Sequence, residues 1–142
     1  MKYTQGNLWD FHNLGPICIT TNGVIRKDST LVMGAGIALQ AKQRFPEVPG
    51  ILADLVSTHG NHAFYLTVQN LFSFPTKHDW KDKSSINLIT QSCHELVNIT
   101  NQMSFTRVYL QKPGCANGQL SWDQVNPLIS EILDDRFVVV IR

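Results

Sequence analysis

The stretch FTRVYLQKPGCANGQLSW, residues 105–122, decides the fold of this chain. It begins with an apolar run from Phe105 to Leu110, whose β-branched and aromatic residues are typical of a buried strand. A glycine-rich loop follows, and Ser121 with Gln124 then matches the capping box that opens a helix. We predict that this helix runs to about Leu133. A strand that passes through a short loop into a helix is the repeating unit of α/β proteins.

The same alternation continues on the N-terminal side and resumes at the C-terminus. Short apolar runs predict further strands, and apolar residues spaced by three and four positions predict the helices between them. The other predicted strands are Pro16 to Thr21, Phe64 to Val68 and Phe137 to Ile141. The other predicted helices run from Ile37 to near Pro46, from Val48 to Thr58 and from Ser84 to Ile99. We therefore expect a layered α/β domain, with helices on both faces of a mostly parallel sheet.

The composition agrees with one globular domain over residues 1–142. Hydrophobic residues make up 43% of the chain and charged residues 16%, which is typical of a chain that folds on its own. A net charge of +1 gives too weak a field to attract nucleic acid or a membrane without a local site. The N-terminus lacks the apolar run of a signal peptide, and no stretch approaches the roughly 20 apolar residues of a membrane span. We expect a monomer in the cytoplasm, without membrane contact.

The spacing of cysteines and histidines indicates neither disulfide nor metal chemistry. Cys18, Cys93 and Cys115 show no CxxC spacing, which argues against a disulfide framework or a zinc cluster. We interpret them as reduced thiols, and we expect no metal and no cofactor. His59 and His62 form an HxxH pair without a further ligand run, and we interpret them as loop residues.

Two glycine-rich loops are the first candidates for a ligand site. One is MGAGIA, residues 33–38, which leads into a helix, and the other is KPGCANG, residues 112–118. Ligands of open α/β sheets settle where strands end and helices begin, because the first N–H groups of a helix lack partners. Glycine lets the backbone approach phosphate oxygens without a Cβ in the way. The pair indicates a grip on a diphosphate, although each loop alone is more often a plain strand-to-helix turn.

The segment FPTKHDW, residues 74–80, is the second concentration of reactive groups. It follows an apolar strand and precedes the helix near Ser84, so it should share the rim of the sheet with the two loops. A lysine amine becomes nucleophilic in a desolvated or cation-rich site, and the anomeric carbon of a sugar is a suitable electrophile. Lys77 is therefore the catalytic candidate, with a solvated surface lysine as the alternative.

Three further side chains have a functional and a plainer interpretation. Trp80 and Trp122 are candidates for stacking on a base or a sugar, with a place in the core or on the rim as the alternative. Cys115 lies in a glycine-rich loop before a helix, where a thiolate can be stabilised. The alternative for Cys115 is a small residue packed under the loop.

Together these segments resemble one known family, the macro domains, which bind ADP-ribose in a three-layer αβα fold with a mixed, mostly parallel central sheet. Gly6-Asn7-Leu8 is similar to the family's opening Gly-Asp-Leu motif, Ile19-Thr20-Thr21-Asn22 to its strand-end asparagine motif, and MGAGIA to its first phosphate loop. FPTKHDWKDKSS and PGCANGQLSW resemble the subgroup of the DNA ADP-ribosyl glycohydrolase antitoxin and the terminal ADP-ribose protein glycohydrolase. The resemblance spans essentially the whole chain.

The resemblance implies a role for each part of the site. Asn7 and Leu8 would lie near the adenine, and the strand end would lie near the distal ribose with Thr20, Thr21 and Asn22. The diphosphate would contact Met33, Gly34, Ala35, Gly36 and Ile37. The pocket would be completed by Thr76, Gly114, Cys115, Ala116, Asn117 and Gly118. Lys77 corresponds to the subgroup's catalytic lysine, which attacks or polarises C1″ of the distal ribose.

Three positions depart from the family's pattern. Asn7 stands where many relatives carry an aspartate, and its amide oxygen can accept the same hydrogen bond without charge assistance. Gly118 stands where the protein-directed glycohydrolase has a catalytic aspartate, so the pattern favours the antitoxin branch and a mechanism centred on Lys77. Residues 24–31 look like an insertion that shapes substrate choice.

The resemblance implies an ADP-ribosyl glycohydrolase that acts on ADP-ribose attached to a nucleobase or to an acidic protein side chain, with a toxin as a candidate partner. A non-catalytic reader of ADP-ribose stays open, because Gly118 brings no carboxylate. A phosphatase for ADP-ribose 1″-phosphate or a deacetylase for O-acetyl-ADP-ribose ranks lower, because the histidine-containing phosphatase loop is not evident.

Overall fold

The computed structural model describes residues 1–142. The strands are β1 (Lys2–Gln5), β2 (Ile17–Thr21), β3 (Phe64–Leu66), β4 (Leu71–Pro75), β5 (Val108–Leu110) and β6 (Phe137–Ile141). The α-helices are α1 (Gly36–Arg44), α2 (Val48–His59), α3 (Ile86–Met103) and α4 (Trp122–Ile129). A single 3-10 turn at Leu8–Phe11 lies between β1 and β2.

The six strands form one sheet in the order β1-β6-β5-β2-β4-β3. Every neighbouring pair is parallel except β3 with β4, which is antiparallel. The sheet is therefore mixed and mostly parallel, as predicted. Since β2, β4 and β5 run in the same direction, the loops that follow them meet at one edge of the sheet.

The core is divided between the two faces of the sheet. The α1–α2 face buries Ile19, Ala41 and Leu52 together with residues of the 3-10 turn. The opposite face buries Phe72 and Leu96 with residues of α3 and α4. The central strands are buried on both sides, which is why they read as continuous apolar runs. These layers are the αβα arrangement that the sequence predicted.

Several boundaries differ from the prediction, and two strands were missed. β1 carries the polar sequence KYTQ on the sheet edge, where only one neighbour pairs with it. β3 ends at Leu66 because the chain turns back through Asn70, which has φ 55°, directly into the unpredicted β4. β5 starts only at Val108, because α3 extends to Met103.

The interpretation of the HxxH pair was wrong for its first residue. His59 is the last residue of α2 rather than part of a loop, and Gly60 with φ 93° stops the helix behind it. α4 ends at Ile129, four residues before the predicted Leu133. No helix is both long enough and apolar enough to cross a membrane.

Candidate active site

A cavity of about 420 Å³ opens where β2 and β4 end. Nine of the residues nominated from the sequence line it, and these are Thr20, Thr21, Asn22, Met33, Gly34, Ala35, Thr76, Lys77 and Asn117. The other lining residues are Trp80, which the sequence offered as a stacking candidate, and Val32 and Ala38, which had no assigned role. The strand ends, one glycine-rich loop and the segment after β4 thus converge on one site.

The other nominated residues lie elsewhere around this edge of the sheet. They are Asn7, Leu8, Gly36, Ile37, Gly114, Cys115, Ala116 and Gly118, and none of them lines the cavity. Most of them either pack beneath the two glycine-rich loops or line a second hollow next to the cavity. The nominated segments thus lie around the cavity, and the structure distinguishes their residues that line it from those that do not.

Lys77 lies at the mouth of the cavity with its amine between two loops. Thr76 N–H donates to Thr21 O over 3.0 Å, which prolongs the pairing of β4 with β2 up to the lysine. The Lys77 Nζ donates to the carbonyl of Trp80 at 3.3 Å and to the carbonyl of Asn117 at 3.2 Å. Lys77 is also the only ionisable side chain among the lining residues. Any reaction in this cavity that needs an ionisable side chain therefore depends on the Lys77 amine.

Hydrogen bonds from two neighbouring loops fix the backbone at Lys77 and His78. The Asn61 side-chain amide donates to Lys77 O at 3.0 Å, and Gly23 N–H donates to His78 O at 3.1 Å. The Asn61 Oδ1 is buried without a hydrogen-bond partner. No sequence pattern indicated Asn61, because its contact with Lys77 joins two loops that are 16 residues apart.

His62 is in hydrogen-bonding contact with Glu95. Its Nδ1 lies 2.6 Å from Glu95 Oε2, and the other carboxylate oxygen accepts from Ala63 N–H at 3.1 Å. Gln91 on the same face of α3 lies 3.2 Å from the imidazole nitrogen. The cluster joins the loop that carries Asn61 to α3, and it stabilises the support behind Lys77.

The first glycine-rich loop leaves the N-terminus of α1 open. α1 begins at Gly36, which has φ 57°, and Ala35 before it provides no side-chain cap. The first N–H groups of the helix therefore point out of the backbone without a capping partner, which favours an anionic ligand. Nothing lies within 4 Å of the place that a Cβ on Gly34 would take. The backbone is thus exposed from Gly34 to Gly36.

The second glycine-rich loop is packed rather than open. A Cβ on Gly118 would overlap the hydroxyl of Ser84 and the carbonyl of Gly114. Gly114 itself has φ 78°, and a Cβ there would lie 2.7 Å from Ile89 Cδ1. Both glycines are buried. Since no side chain fits at Gly118, a catalytic carboxylate at this position has no room in this fold.

Asn22 closes the base of the insertion that the sequence indicated. Its Oδ1 accepts from Val24 N–H at 3.0 Å and its Nδ2 donates to Val32 O at 2.9 Å. Between these residues a β-bridge joins Ile25 to Leu31. The insertion is therefore a small hairpin on the cavity rim, and one amide hydrogen of Asn22 remains for a ligand.

A second hollow of about 320 Å³ lies on the other side of the second loop. Its lining residues are Gln111, Lys112, Cys115, Ala116, Val140, Ile141 and Arg142. Gly6 N–H donates to Ile141 O at 2.8 Å, which places the exposed Asn7 next to this hollow. The Asn7 Oδ1 caps the 3-10 turn by accepting from Trp9 N–H at 3.0 Å. Leu8 is 1% exposed, so its side chain belongs to the core.

Cys115 does not have the surroundings of a nucleophile. Burial raises the pKa of its thiol above the ordinary value, and Lys112 opposes this only in part. The thiol lies toward the second hollow, away from the cavity that holds Lys77. Cys18 and Cys93 are buried in the core as free thiols, and burial raises the pKa of Cys93 to about 12. The structure therefore favours a packing role for all three cysteines.

Comparisons with known proteins agree with this geometry. No protein-family model matches the chain. It is 25% identical to a DNA ADP-ribosyl glycohydrolase from Thermus aquaticus, over 94% of this chain and 38% of that protein. The chain spans less than two fifths of the length of the curated relatives it matches.

Solved structures show the same fold. The macro domain of Mycobacterium tuberculosis DarG superposes with a TM-score of 0.82 at 26% identity, over 99% of this chain and 95% of that one. Thermosipho africanus DarTG in complex with ADP-ribose superposes with a TM-score of 0.81 at 20% identity, over 99% of this chain and 42% of that one. The six-stranded sheet and its helices therefore match a known α/β fold over nearly every residue.

Proposed function

We propose that this chain is a macro domain like that of DarG, and that it binds ADP-ribose and removes it from modified DNA. The observation that carries the proposal is the position of Lys77. Its amine is the only ionisable group of the cavity, and carbonyls of two different loops hold it at the entrance. The uncapped N-terminus of α1 suits the phosphates of a ligand inside the cavity. The Lys77 amine at the entrance suits a reactive sugar carbon of the same ligand.

The open loop and the N-terminus of α1 suit the diphosphate. Backbone N–H groups and the helix dipole stabilise phosphate oxygens there, and Gly34 leaves the approach free. The distal ribose then lies among Thr21, Asn22 and Lys77, which line the same cavity. The adenine occupies the second hollow, near Asn7.

The proposed reaction adds water across the bond between C1″ of the distal ribose and the nucleobase. Lys77 attacks or polarises C1″, and the base leaves with a proton in place of the sugar. The products are free ADP-ribose and the unmodified base. Because Gly118 has no carboxylate and no space for one, Lys77 acts without the aspartate that the protein-directed glycohydrolase uses.

The test is a Lys77→Ala variant measured beside the wild type. We expect the variant to lose release of ADP-ribose from an ADP-ribosylated single-stranded oligonucleotide, while its affinity for free ADP-ribose stays within about threefold, because binding relies on the loop and the helix end. Lys42→Ala is the matched control, since Lys42 is an exposed lysine on α1 that does not line the cavity. Unchanged turnover in the Lys77 variant contradicts the catalytic role.

A panel of substrates separates this function from its alternative. The alternative is a reader that binds ADP-ribose without cleaving its linkage, and the absence of any carboxylate among the lining residues favours it. The panel comprises ADP-ribose on thymidine, on guanosine and on a glutamate peptide. Binding of the nucleotide without release from any member supports the reader.

We further propose that the domain acts as a monomer in the cytoplasm, opposite a toxin that attaches ADP-ribose to DNA. The similarity to DarG and to the DarTG structure supports this setting. Light scattering of the purified protein tests the monomer. Rescue of cells that express a DNA-modifying ADP-ribosyl transferase, by the wild type but not by Lys77→Ala, tests the antitoxin role.

A further inference from the structure

We propose that Trp80 is a stacking platform for the nucleobase that carries the ADP-ribose, and that it decides the preference for a nucleobase over a protein side chain. The proposal rests on the proposed function of the cavity. It adds a residue outside the ADP-ribose contacts that recognises the leaving group rather than the nucleotide.

Trp80 is the one tryptophan whose ring is left uncovered. It is 52% exposed, and it makes no aromatic or cation–π contact. Trp9, by contrast, is buried, donates a hydrogen bond to Gln40 and lies 4.2 Å beneath the guanidinium of Arg44. Trp122 packs edge-on against Tyr3 at 6.4 Å. The fold covers the rings of Trp9 and Trp122, whereas the large apolar ring of Trp80 stays in water. Such an exposed ring suits a ligand that stacks on it.

The position of Trp80 is tied to that of the lysine amine. Both residues line the same cavity, and the Trp80 carbonyl accepts a hydrogen bond from the Lys77 Nζ at 3.3 Å. The turn that carries the tryptophan is fixed by Asp82 N–H donating to Asp79 O at 3.1 Å and by Lys81 N–H donating to Asp79 Oδ1 at 3.0 Å. The backbone of Trp80 is thus held beside the Lys77 amine, while its ring remains free.

The chemistry of the linkage favours a nucleobase as the occupant. A group attached to C1″ must lie on the outer side of the Lys77 amine, because the nucleotide fills the inner side. A nucleobase there presents a flat π face, which stacks on an aromatic ring irrespective of sequence. A glutamate or aspartate side chain has no such face. The exposed Lys81 and Lys83, next to Trp80 in the chain, suit the phosphates of a DNA strand on either side of the base.

The experiment compares binding of intact substrates in a Lys77→Ala background, which keeps the result independent of turnover. Trp80→Ala should weaken binding of an ADP-ribosylated single-stranded oligonucleotide about tenfold or more, because stacking on an aromatic ring contributes at that level. Trp80→Phe should restore most of the affinity. Affinity for free ADP-ribose and for an ADP-ribosylated glutamate peptide should stay within about twofold. Val68→Ala is the control, since Val68 is an apolar residue that is 90% exposed far from the cavity lining.

Two results overturn the proposal. One is an unchanged affinity of the Trp80→Ala variant for the oligonucleotide. The other is an equal loss for the oligonucleotide, the peptide and free ADP-ribose, which assigns Trp80 to the nucleotide pocket. If the wild type releases ADP-ribose from no substrate, the proposed hydrolase fails, yet the binding series still decides the role of Trp80.

Discussion

The two glycine-rich loops have similar composition but need their glycines for different reasons. In the first loop Gly34 is exposed, and nothing lies within 4 Å of the place that a Cβ would take. In the second loop Gly114 and Gly118 are buried against Ser84 and Ile89, where any Cβ meets an occupied position. Only Asn117 of the second loop reaches the cavity, and it approaches Gly36 so that the place of a Cβ there lies 3.4 Å from Asn117 Nδ2.

This difference teaches that a glycine-rich motif does not by itself mark contact with a ligand. The first loop uses glycine to expose backbone N–H groups, whereas the second uses it to bring the backbone close to α3. Substitutions in the two loops should therefore separate binding from stability.

Replacing Gly118 should have the largest effect, and the effect should be on stability. We expect Gly118→Ala to lower the free energy of unfolding by about 2–3 kcal/mol, because overpacking a tight site costs at this level. Urea denaturation measures the change. Adding Ser84→Gly removes the hydroxyl that the new Cβ meets, so the double variant should regain part of the loss, although the clash with the Gly114 carbonyl remains. A Gly118→Ala protein as stable as the wild type would show that the loop relaxes freely.

Replacing Gly34 should weaken ligand binding and leave stability almost unchanged. Gly34→Ala adds a methyl group where nothing is in contact, so stability should stay within about 0.5 kcal/mol of the wild type. The same methyl group narrows the phosphate site, and we expect the affinity for ADP-ribose to fall about tenfold in calorimetric titration. Gly50→Ala in α2 is the matched control, since its Cβ also meets nothing. It should stabilise the helix by about 0.5–1 kcal/mol and leave binding unchanged.

The support behind Lys77 should affect turnover rather than binding. Asn61→Ala removes the donor that fixes Lys77 O, and a hydrogen bond of this kind contributes about 1 kcal/mol. We expect kcat to fall about fivefold with the affinity for ADP-ribose unchanged. Asn98→Ala, at an exposed position of α3, should leave both quantities unchanged. A rise in KM with an unchanged kcat would place Asn61 in substrate binding instead.

The smallest effect should follow from replacing Cys115. Its pKa is raised by burial, so the thiolate fraction at neutral pH is lower than that of a free cysteine, and alkylation by iodoacetamide should be slower. The rate should increase as the pH rises above the range in which a free thiol already ionises. Cys115→Ala should leave release of ADP-ribose within about twofold of the wild type. A Cys115→Ala variant without activity would restore the nucleophile hypothesis.

Features with a local cause were predictable from the sequence. The capping box is an example, since the Ser121 Oγ accepts from Gln124 N–H at 3.3 Å and Ser121 N–H donates to Gln124 Oε1 at 3.1 Å. The buried strands β2, β5 and β6 and the periodic face of α3 were predicted for the same reason, whereas the buried β4 was missed. β1 was missed because a polar edge strand has no periodic apolar signal, and its pairing depends on β6 at the far end of the chain.

The site was predictable by segment but not by orientation. Motifs placed Lys77 and the first loop correctly on the cavity wall. They did not show that Gly118 supports the loop from below, because that role depends on Ser84, which is distant in sequence. Asn61 was missed for a similar reason. Contacts between loops depend on the packing of the whole sheet edge, and no short pattern records them.

The hairpin of residues 24–32 has fixed ends and an exposed tip, so its tip can be exchanged without changing the rest of the domain. Asn22 binds both of its ends, and Leu31 N–H donates to Pro49 O at 2.9 Å, so the hairpin enters and leaves the fold at fixed points. Its tip carries Arg26 and Lys27 in solvent and makes no contribution to the core. Lengthening, shortening or exchanging the tip therefore changes the entrance without disturbing the strand before it or the loop after it. Such a domain can gain a new recognition loop through one insertion at these two joints.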